Sequence, residues 1–417
     1  MQEGLSSSIV AGASCVTINP ANDGLILVGY RDRPCSGVAL DLCLRAIVFG
    51  NEFEKPAAAL LVLDTLSTGA GVVAELRKRA ALALPSLDPA TIMVVATHTH
   101  SAPTLDPFRT TQPDAAYLAH VFDAAGPAIK QAWNTRENLT MSVGLAEARL
   151  CHNRRVVDPS GKATNDWLDP EARHLGYCNS IVRFLTFCET GTGRIRIVIN
   201  TYGCHPVVLG PGNTKASADY PGYLVRALEA QTGAHVALHV TGAAANINPR
   251  ECLFAESERA RPMGEAIAQA IVQALPAARN IDATPVSVHT EFVTLTCGPH
   301  ARENYTLRAQ NPEVRTVTAE IQVVRLGEVA MVSAPGELFA EIGTAIENAS
   351  PFPHTFIMGY SNDSLGYLCT EAAIREGGYE ASAPLSEDAE RPIFEAARKA
   401  LHAVAVNFRH PVLMDFR

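Results

Sequence analysis

The chain has 417 residues, 47% of them hydrophobic and 18% charged, with a formal net charge of -9 at pH 7. Apolar content of that order fills a sizeable core and excludes wholesale disorder. The negative balance, with no basic cluster longer than Arg77-Lys78-Arg79, excludes nucleic acid as a partner, and no apolar run is long enough for a membrane span.

Ser8 to Ile18 reads as a first strand closed by Asn19-Pro20, and Gly24 to Tyr30 as irregular. Asp41 to Phe49 and Ala57 to Asp64 are strands; Gly69 to Leu84 has helical periodicity and stops before Pro85. Ile92 to Ser101, IMVVATHTHS, is short, rich in β-branched residues and preceded by the turn-prone Ser86-Leu87-Asp88-Pro89, so it reads as a buried strand. Pro113 to Trp133 reads as a helix kinked at Gly126-Pro127. Leu139 to Leu150 is a strand running into Cys151-His152-Asn153-Arg154, and the polar Val156 to Leu175 is a surface loop.

Asn179 to Cys188 and Arg194 to Tyr202 read as paired strands, the second ending at Cys204-His205-Pro206. Pro221 marks a helix start and Gly233 its stop. His235 to Val240 is a buried strand, Glu256 to Leu275 a helix, Pro285 to Thr296 a strand, and Ala319 to Ala334 a hairpin around Gly327. Glu337 to Glu347 reads as a helix, Thr355 to Met358 as a strand opening into Gly359-Tyr360-Ser361-Asn362, and Glu387 to Val404 as the last helix. Strands and helices interleave without strict βαβ alternation. The expected fold class is α/β in the mixed α+β sense, with layered mixed sheets covered by helices. With no repeat, low-complexity tract or linker, residues 1–417 are expected to form one large domain. The first fifteen residues lack a basic start and a strong apolar centre, and the ten cysteines form no Cys-x-x-Cys pair. A cytoplasmic location without a signal peptide, and cysteines that mostly act as buried apolar side chains, are therefore expected.

Side chains alternate along a strand, so His98 and His100 are expected on one face. Two imidazoles at the end of a buried strand are candidate metal ligands; plain hydrogen bonding at a strand end is the competing reading. His205 also ends a strand. Glu337, following Ala334-Pro335-Gly336, reads by itself as a helix N-terminal carboxylate favoured by the macrodipole. Taken singly, Tyr367 and Tyr379 read as half-buried tyrosines, Arg154 as a surface ion-pair partner and Asp219 as a helix cap.

In order, the chain presents Thr97-His98-Thr99-His100-Ser101, Asn153-Arg154, Gly203-Cys204-His205-Pro206, Ser217-Ala218-Asp219, the turn ending Asn246-Ile247-Asn248-Pro249, Pro335-Gly336-Glu337, GYSNDSLGYLCT from Gly359, and Gly378-Tyr379-Glu380. That order resembles the neutral (alkaline, non-lysosomal) ceramidase family over nearly the whole chain, from Gly29-Tyr30 to Tyr379. The resemblance implies a zinc amidase catalytic domain with one zinc ion per chain. It implies His98, His205, Glu337 and Tyr367 as metal ligands, and His100, Arg154 and Tyr379 as catalytic residues that contact substrate. Asn248, Tyr360 and Asn362 are further candidate substrate-binding residues.

Asn248 stands where the family has a serine in an Asp-x-Ser-Pro turn, so no serine nucleophile is available there and direct attack by zinc-bound water on an amide is expected. The family's immunoglobulin-like C-terminal domain and secretion signal are expected to be missing, and a smaller or N-acylated amide is expected in place of ceramide. A zinc-dependent esterase or lactonase is the alternative reading, and a non-catalytic protein with structural zinc the third. A small-molecule substrate is the expected partner; a homo-oligomer is compatible with the sequence.

Overall fold

The computed structural model describes residues 8–21, 23–108, 111–298, 314–382 and 384–406. Its largest unit is a nine-stranded mixed sheet. In chain order the strands are β1 (Ile9–Thr17), β2 (Cys43–Glu52), β3 (Lys55–Leu63), β4 (Ile92–Ala96), β5 (Glu137–Glu147), β6 (Ile181–Glu189), β7 (Ile195–Tyr202), β8 (Val236–Thr241) and β9 (Arg279–Ile281). Across the sheet they lie β8-β7-β6-β5-β1-β2-β3-β4, with β9 on β5. The pairs β7–β8 and β3–β4 are parallel, so each edge strand joins the antiparallel middle in parallel. A second, four-stranded sheet orders β10 (Val286–Thr296), β11 (Thr316–Leu326), β12 (Val329–Ser333) and β13 (His354–Met358).

Alternation along the strands sorts the core into layers. In β4, Ile92 and Val94 pack with helices α1 (Ala70–Ala83), α2 (Ala115–Asn134), α3 (Asp219–Thr232) and α4 (Arg261–Ala274). Met93 and Val95 point the other way, against Val324, Met331, Phe356 and Met358 of the second sheet. Side chains of the opposite parity in that sheet, among them Ile321, Val323, Ala330 and Val332, pack with α5 (Ala340–Asn348), the short α6 (Glu371–Glu376) and α7 (Glu390–Val404). The layers are helix, sheet, sheet, helix. A strand covered on both faces must be apolar at every position, which is why β4 reads as an unbroken apolar run. Each such aliphatic side chain contributes roughly 1.5–3 kcal/mol by leaving water.

Most expected elements fall where the sequence puts them, and the mixed, layered fold class holds. Three differ. The helix expected from Glu337 begins at Ala340; Glu337–Leu338 instead pairs in parallel with Tyr367–Leu368, because backbone bonds to the Gly366–Leu368 turn hold it extended. The macrodipole reading of Glu337 therefore does not apply. Helix α2 continues through Gly126-Pro127 without interruption. The expected loop at Val156 to Leu175 contains a small hairpin, Arg155–Val157 against Ala163–Asn165. Of the fifteen residues on which the absence of a signal peptide was read, the first seven lie outside the described residues.

One connection brings the sheet's two edges together. After β13 the chain runs between β8 and β4: Gly359 N donates to Thr241 O, Ala96 N to Tyr360 O, and Asn362 N to Val94 O. Thr241 Oγ1 adds a bond to Thr97 O at 2.7 Å. Tyr360 and Asn362 both have left-handed backbone, φ 56° and 62°. The segments that follow β4, β7 and β8 thus converge on one spot.

Candidate metal centre

Strand β4 ends at Ala96, and His98 is left-handed, with φ 68°. Strand alternation is therefore not what pairs His98 with His100. A left-handed conformation at a non-glycine residue costs on the order of 1–2 kcal/mol, and here two bonds hold it: His98 N donates to Thr65 O at 2.9 Å, and Nδ1 meets Leu66 O at 2.6 Å. The His98 ring also stacks on Tyr360, centroids 3.9 Å apart. His205, three residues beyond β7, is fixed the same way: its N donates to Ile247 O and its Nδ1 meets Ala244 O at 2.6 Å.

A carbonyl can only accept, so each of these Nδ1 atoms carries the proton. Each Nε2 is then the ring atom that faces the centre. His205 Nε2 lies 3.1 Å from Glu337 Oε2, and His98 Nε2 lies 3.5 Å from the same oxygen. His100 Nε2 is 3.2 Å from His98 Nε2. The ligand atoms of His98, His100 and His205 all lie within 4.8 Å of one another. All three imidazoles are buried or nearly so. Lone pairs facing lone pairs in a dry site repel unless a cation lies between them. On two of the three rings a proton is disfavoured. Burial, followed by the Arg154 charge, lowers the His205 pKa to about 4, and burial holds His100 well below the usual histidine range. Burial opposes ionisation of Glu337, but positive charge at His98 and hydrogen bonding from His205 outweigh it and keep the carboxyl well below its ordinary value, so this carboxylate calls for positive charge beside it. The donor set fits a metal ion, with the carbonyl partners orienting the imidazoles as outer-shell groups do in metal sites.

His100 differs from its neighbours. Its Nδ1 is buried without a hydrogen-bond partner. Its ring lies against Gly29, where φ is +103° and a Cβ would come within 2.6 Å of the imidazole, and against the Tyr30 ring at 5.0 Å. Arg33 donates to the His100 carbonyl and to Val28 O, Gly210 O and Asn213 O, tying these loops together.

The other expected residues line a second wall. Tyr367 is the register partner of Glu337, and its hydroxyl lies 3.3 Å from Arg154 Nη2. Burial, then the Glu337 charge, raises the Tyr367 pKa well above its ordinary value. Arg154 is buried, not the surface residue that the sequence alone would allow. Its Nε donates to Glu380 at 2.7 Å, Nη1 to Asn248 Oδ1 at 3.0 Å, and Nη2 to Ala245 O at 2.6 Å. Three rings surround the guanidinium: Trp167 at 5.1 Å, Tyr379 at 5.7 Å and Tyr367 at 6.0 Å. Tyr379 is 45% exposed and edges against both Trp167 and Tyr367.

Asn248 thus positions Arg154. Tyr360 forms the wall behind His98. The Asn362 amide accepts from Val94 N of β4 and donates to Glu320 and Gln322 of β11, so its polar atoms tie the two sheets together and do not face the His98 cluster. Asp219 caps backbone, accepting from Leu209 N and Tyr220 N.

Comparison with known proteins follows that geometry. No protein-family description and no curated relative matches the chain. Among solved structures, neutral ceramidase from Pseudomonas aeruginosa superposes with a TM-score of 0.80 at 16% identity, covering 96% of this chain and 74% of that one. A ceramidase complexed with C2 superposes with a TM-score of 0.77 at 17% identity, covering 97% and 76%. The chain has a neutral-ceramidase-like fold.

Three groups at this candidate site escaped sequence reasoning. Trp167 lay inside a stretch set aside as polar loop, although it is one of only two tryptophans. Glu380, fully buried, balances Arg154 and Arg155 together. Tyr30 packs on His100. The rarity of tryptophan and the carboxylate directly after Tyr379 were the available signals.

Proposed function

We propose that this chain is a zinc-dependent hydrolase that cleaves an amide bond of a small or N-acylated substrate. The observation that carries the reading is the meeting of the His205 and His98 Nε2 atoms on one Glu337 oxygen, at 3.1 and 3.5 Å. His98, His205 and Glu337 would hold zinc, one ion per chain, with the Tyr367 phenol beside them as fourth donor. When bound, zinc polarises a carbonyl and lowers the pKa of water to about 7.

The chain's own groups supply the rest. His98 and His205 are locked in one tautomer; His100 is not, since its Nδ1 has no partner. His100 is therefore the imidazole able to take up a proton and hand it to a leaving amine. Arg154 keeps a buried positive charge beside Tyr367, and the half-exposed Tyr379 stands at the mouth, where its hydroxyl can meet a developing oxyanion. Amide is preferred to ester or lactone because both structural neighbours are ceramidases.

A second reading has His100 as a third imidazole ligand, favoured by the close grouping of the three ring nitrogens. One experiment tests both. Metal content is measured on the purified protein, and a panel of N-acyl amides, esters and lactones is assayed before and after chelation. About one zinc per chain with chelator-sensitive amide cleavage is expected. Turnover retained by a metal-free His98→Ala, His205→Ala variant would overturn the proposal. His100→Ala that keeps zinc but loses turnover assigns the proton-carrying role; loss of zinc assigns the ligand role.

A further inference from the structure

We infer that Cys151 and Cys178 form a thiol pair that a low-molecular-weight disulfide oxidises reversibly, stapling the loop that carries Arg154 and Trp167. The two Sγ atoms lie 2.7 Å apart and 27 positions apart in sequence, and both cysteines are free. Cys151 is buried in the short strand Cys151–Asn153, which pairs with Ile247–Pro249; Cys178 is partly exposed. A buried thiol beside an accessible one is the arrangement in which an external reagent meets the outer sulfur and the inner one resolves the adduct. Of the other cysteines near the site, Cys252 is engaged with the Trp167 carbonyl at 3.3 Å and Cys204 with the His205 carbonyl at 3.8 Å.

The chain between the two thiols is one wall of the candidate centre. It contains Arg154, Arg155 with its bonds to Glu376, Gly377 O and Glu380, the hairpin from Arg155 to Asn165, and Trp167. Asn153 Nδ2 already bonds to Tyr177 O at 3.0 Å, so the loop's two ends are held together where the sulfurs meet. Closing the pair brings the sulfurs from 2.7 Å to about 2.05 Å.

The reaction balances with oxidised glutathione. The Cys178 thiolate attacks one sulfur of the disulfide, forms a mixed disulfide and expels one glutathione thiolate. The Cys151 thiolate then attacks the Cys178 sulfur and expels the second. Two cysteine thiols are oxidised, one glutathione disulfide is reduced to two thiols, and the two cysteine protons end on the two glutathiones. Excess dithiothreitol reverses each step.

The test uses the full chain and oxidised glutathione, with alkylation, unfolding and non-reducing peptide mapping. The expected result is one cross-linked peptide pair containing Cys151 and Cys178, two hydrogens lighter than the separate peptides. Both thiols are lost to alkylation together and recovered with dithiothreitol. Cys151→Ser should trap the mixed disulfide on Cys178, whereas Cys178→Ser should leave Cys151 unmodified. Limited proteolysis within residues 156–176 should slow on oxidation in the wild-type chain and be unchanged in Cys178→Ser. Glutathione found only on the exposed Cys15, with Cys151 and Cys178 still alkylatable, would overturn the inference. So would a cross-link joining either of them to another cysteine. Neither readout depends on the enzymatic reading of the site.

Discussion

The two walls of the centre are built on different principles. On one side, His98 and His205 are buried, and each ring is held by a main-chain carbonyl: Leu66 O and Ala244 O. Those carbonyls belong to segments leaving β3 and β8, so the sheets themselves set the angle of each ring. On the other side, Arg154 is also buried, but its partners are mostly side chains: Glu380, Asn248, Tyr367 and the rings of Trp167 and Tyr379. Several of these come from irregular segments. The difference teaches that the geometry of the candidate metal ligands is a property of the fold, whereas the geometry around Arg154 is a property of a side-chain network that single substitutions can remodel.

The first wall should break completely. His98→Ala or His205→Ala is expected to abolish zinc binding and return amide cleavage to background, a loss on the order of 10⁶-fold or more. Backbone organisation should survive, since neither residue lies within a named strand or helix. Metal analysis, turnover and circular dichroism on the same sample check this; a folded, zinc-free variant that still turns over would contradict it. The second wall should break through stability. Arg154→Met leaves the fully buried Glu380 with only Arg155 and Asn165 as partners. Removing one member of a buried charged network costs roughly 3–5 kcal/mol. Urea unfolding reads that loss, and Arg154→Lys should recover only part of it, because an ammonium cannot reproduce the forked set of bonds.

Much of this was legible in the sequence, for physical reasons that differ by residue. The apolar run Ile92 to Ala96 announces a strand because burial on both faces demands it, and Pro221 with Gly233 brackets α3 through backbone constraints. The convergence of His98, His100, His205 and Glu337 was not legible in periodicity; the order of motifs pointed to it. The left-handed backbone at His98 leaves no mark in the sequence, because a tertiary bond to Thr65 O and not local propensity sustains it. Trp167 was passed over because composition identifies a polar loop without saying which of its side chains turns inward. Asn362 was overread: a polar residue at a strand end near the site spends its amide on bridging the two sheets.

His239 offers a control imidazole with no role in either wall. It lies on β8, is fully buried, and bonds through Nδ1 to Asn200 Oδ1 at 2.6 Å. Burial, with a smaller push from Arg45, lowers its pKa from 6.5 to about 3. Because the folded value lies below the unfolded one, the contribution to stability is fully present above pH 6.5 and disappears as pH falls toward 3. Between those limits one proton is taken up on unfolding, a slope of about 1.4 kcal/mol per pH unit. His239→Asn keeps a donor toward Asn200 and removes the titration. Urea unfolding of both proteins from pH 7 to pH 4 should show the variant's curve flatter by that one proton. Parallel curves would mean that His239 does not set the acid limb.

The smallest expected effect falls on the half-exposed edge of the second wall. Tyr379→Phe removes one hydroxyl and keeps the ring that edges against Trp167 and Tyr367. A buried oxyanion donor is worth about 10²–10³ in kcat, and water screens a donor on a ring that is 45% exposed. About a tenfold fall in kcat with KM little changed is therefore expected for an oxyanion contact. Trp167→Leu should act in the opposite sense, raising KM with kcat nearly intact, because it removes wall area and no donor. Steady-state kinetics on the two variants, with the same amide, separates a donor from a wall. A Tyr379→Phe variant that changes only KM would make the second wall purely a binding surface and leave stabilisation of the oxyanion to the metal-holding side alone.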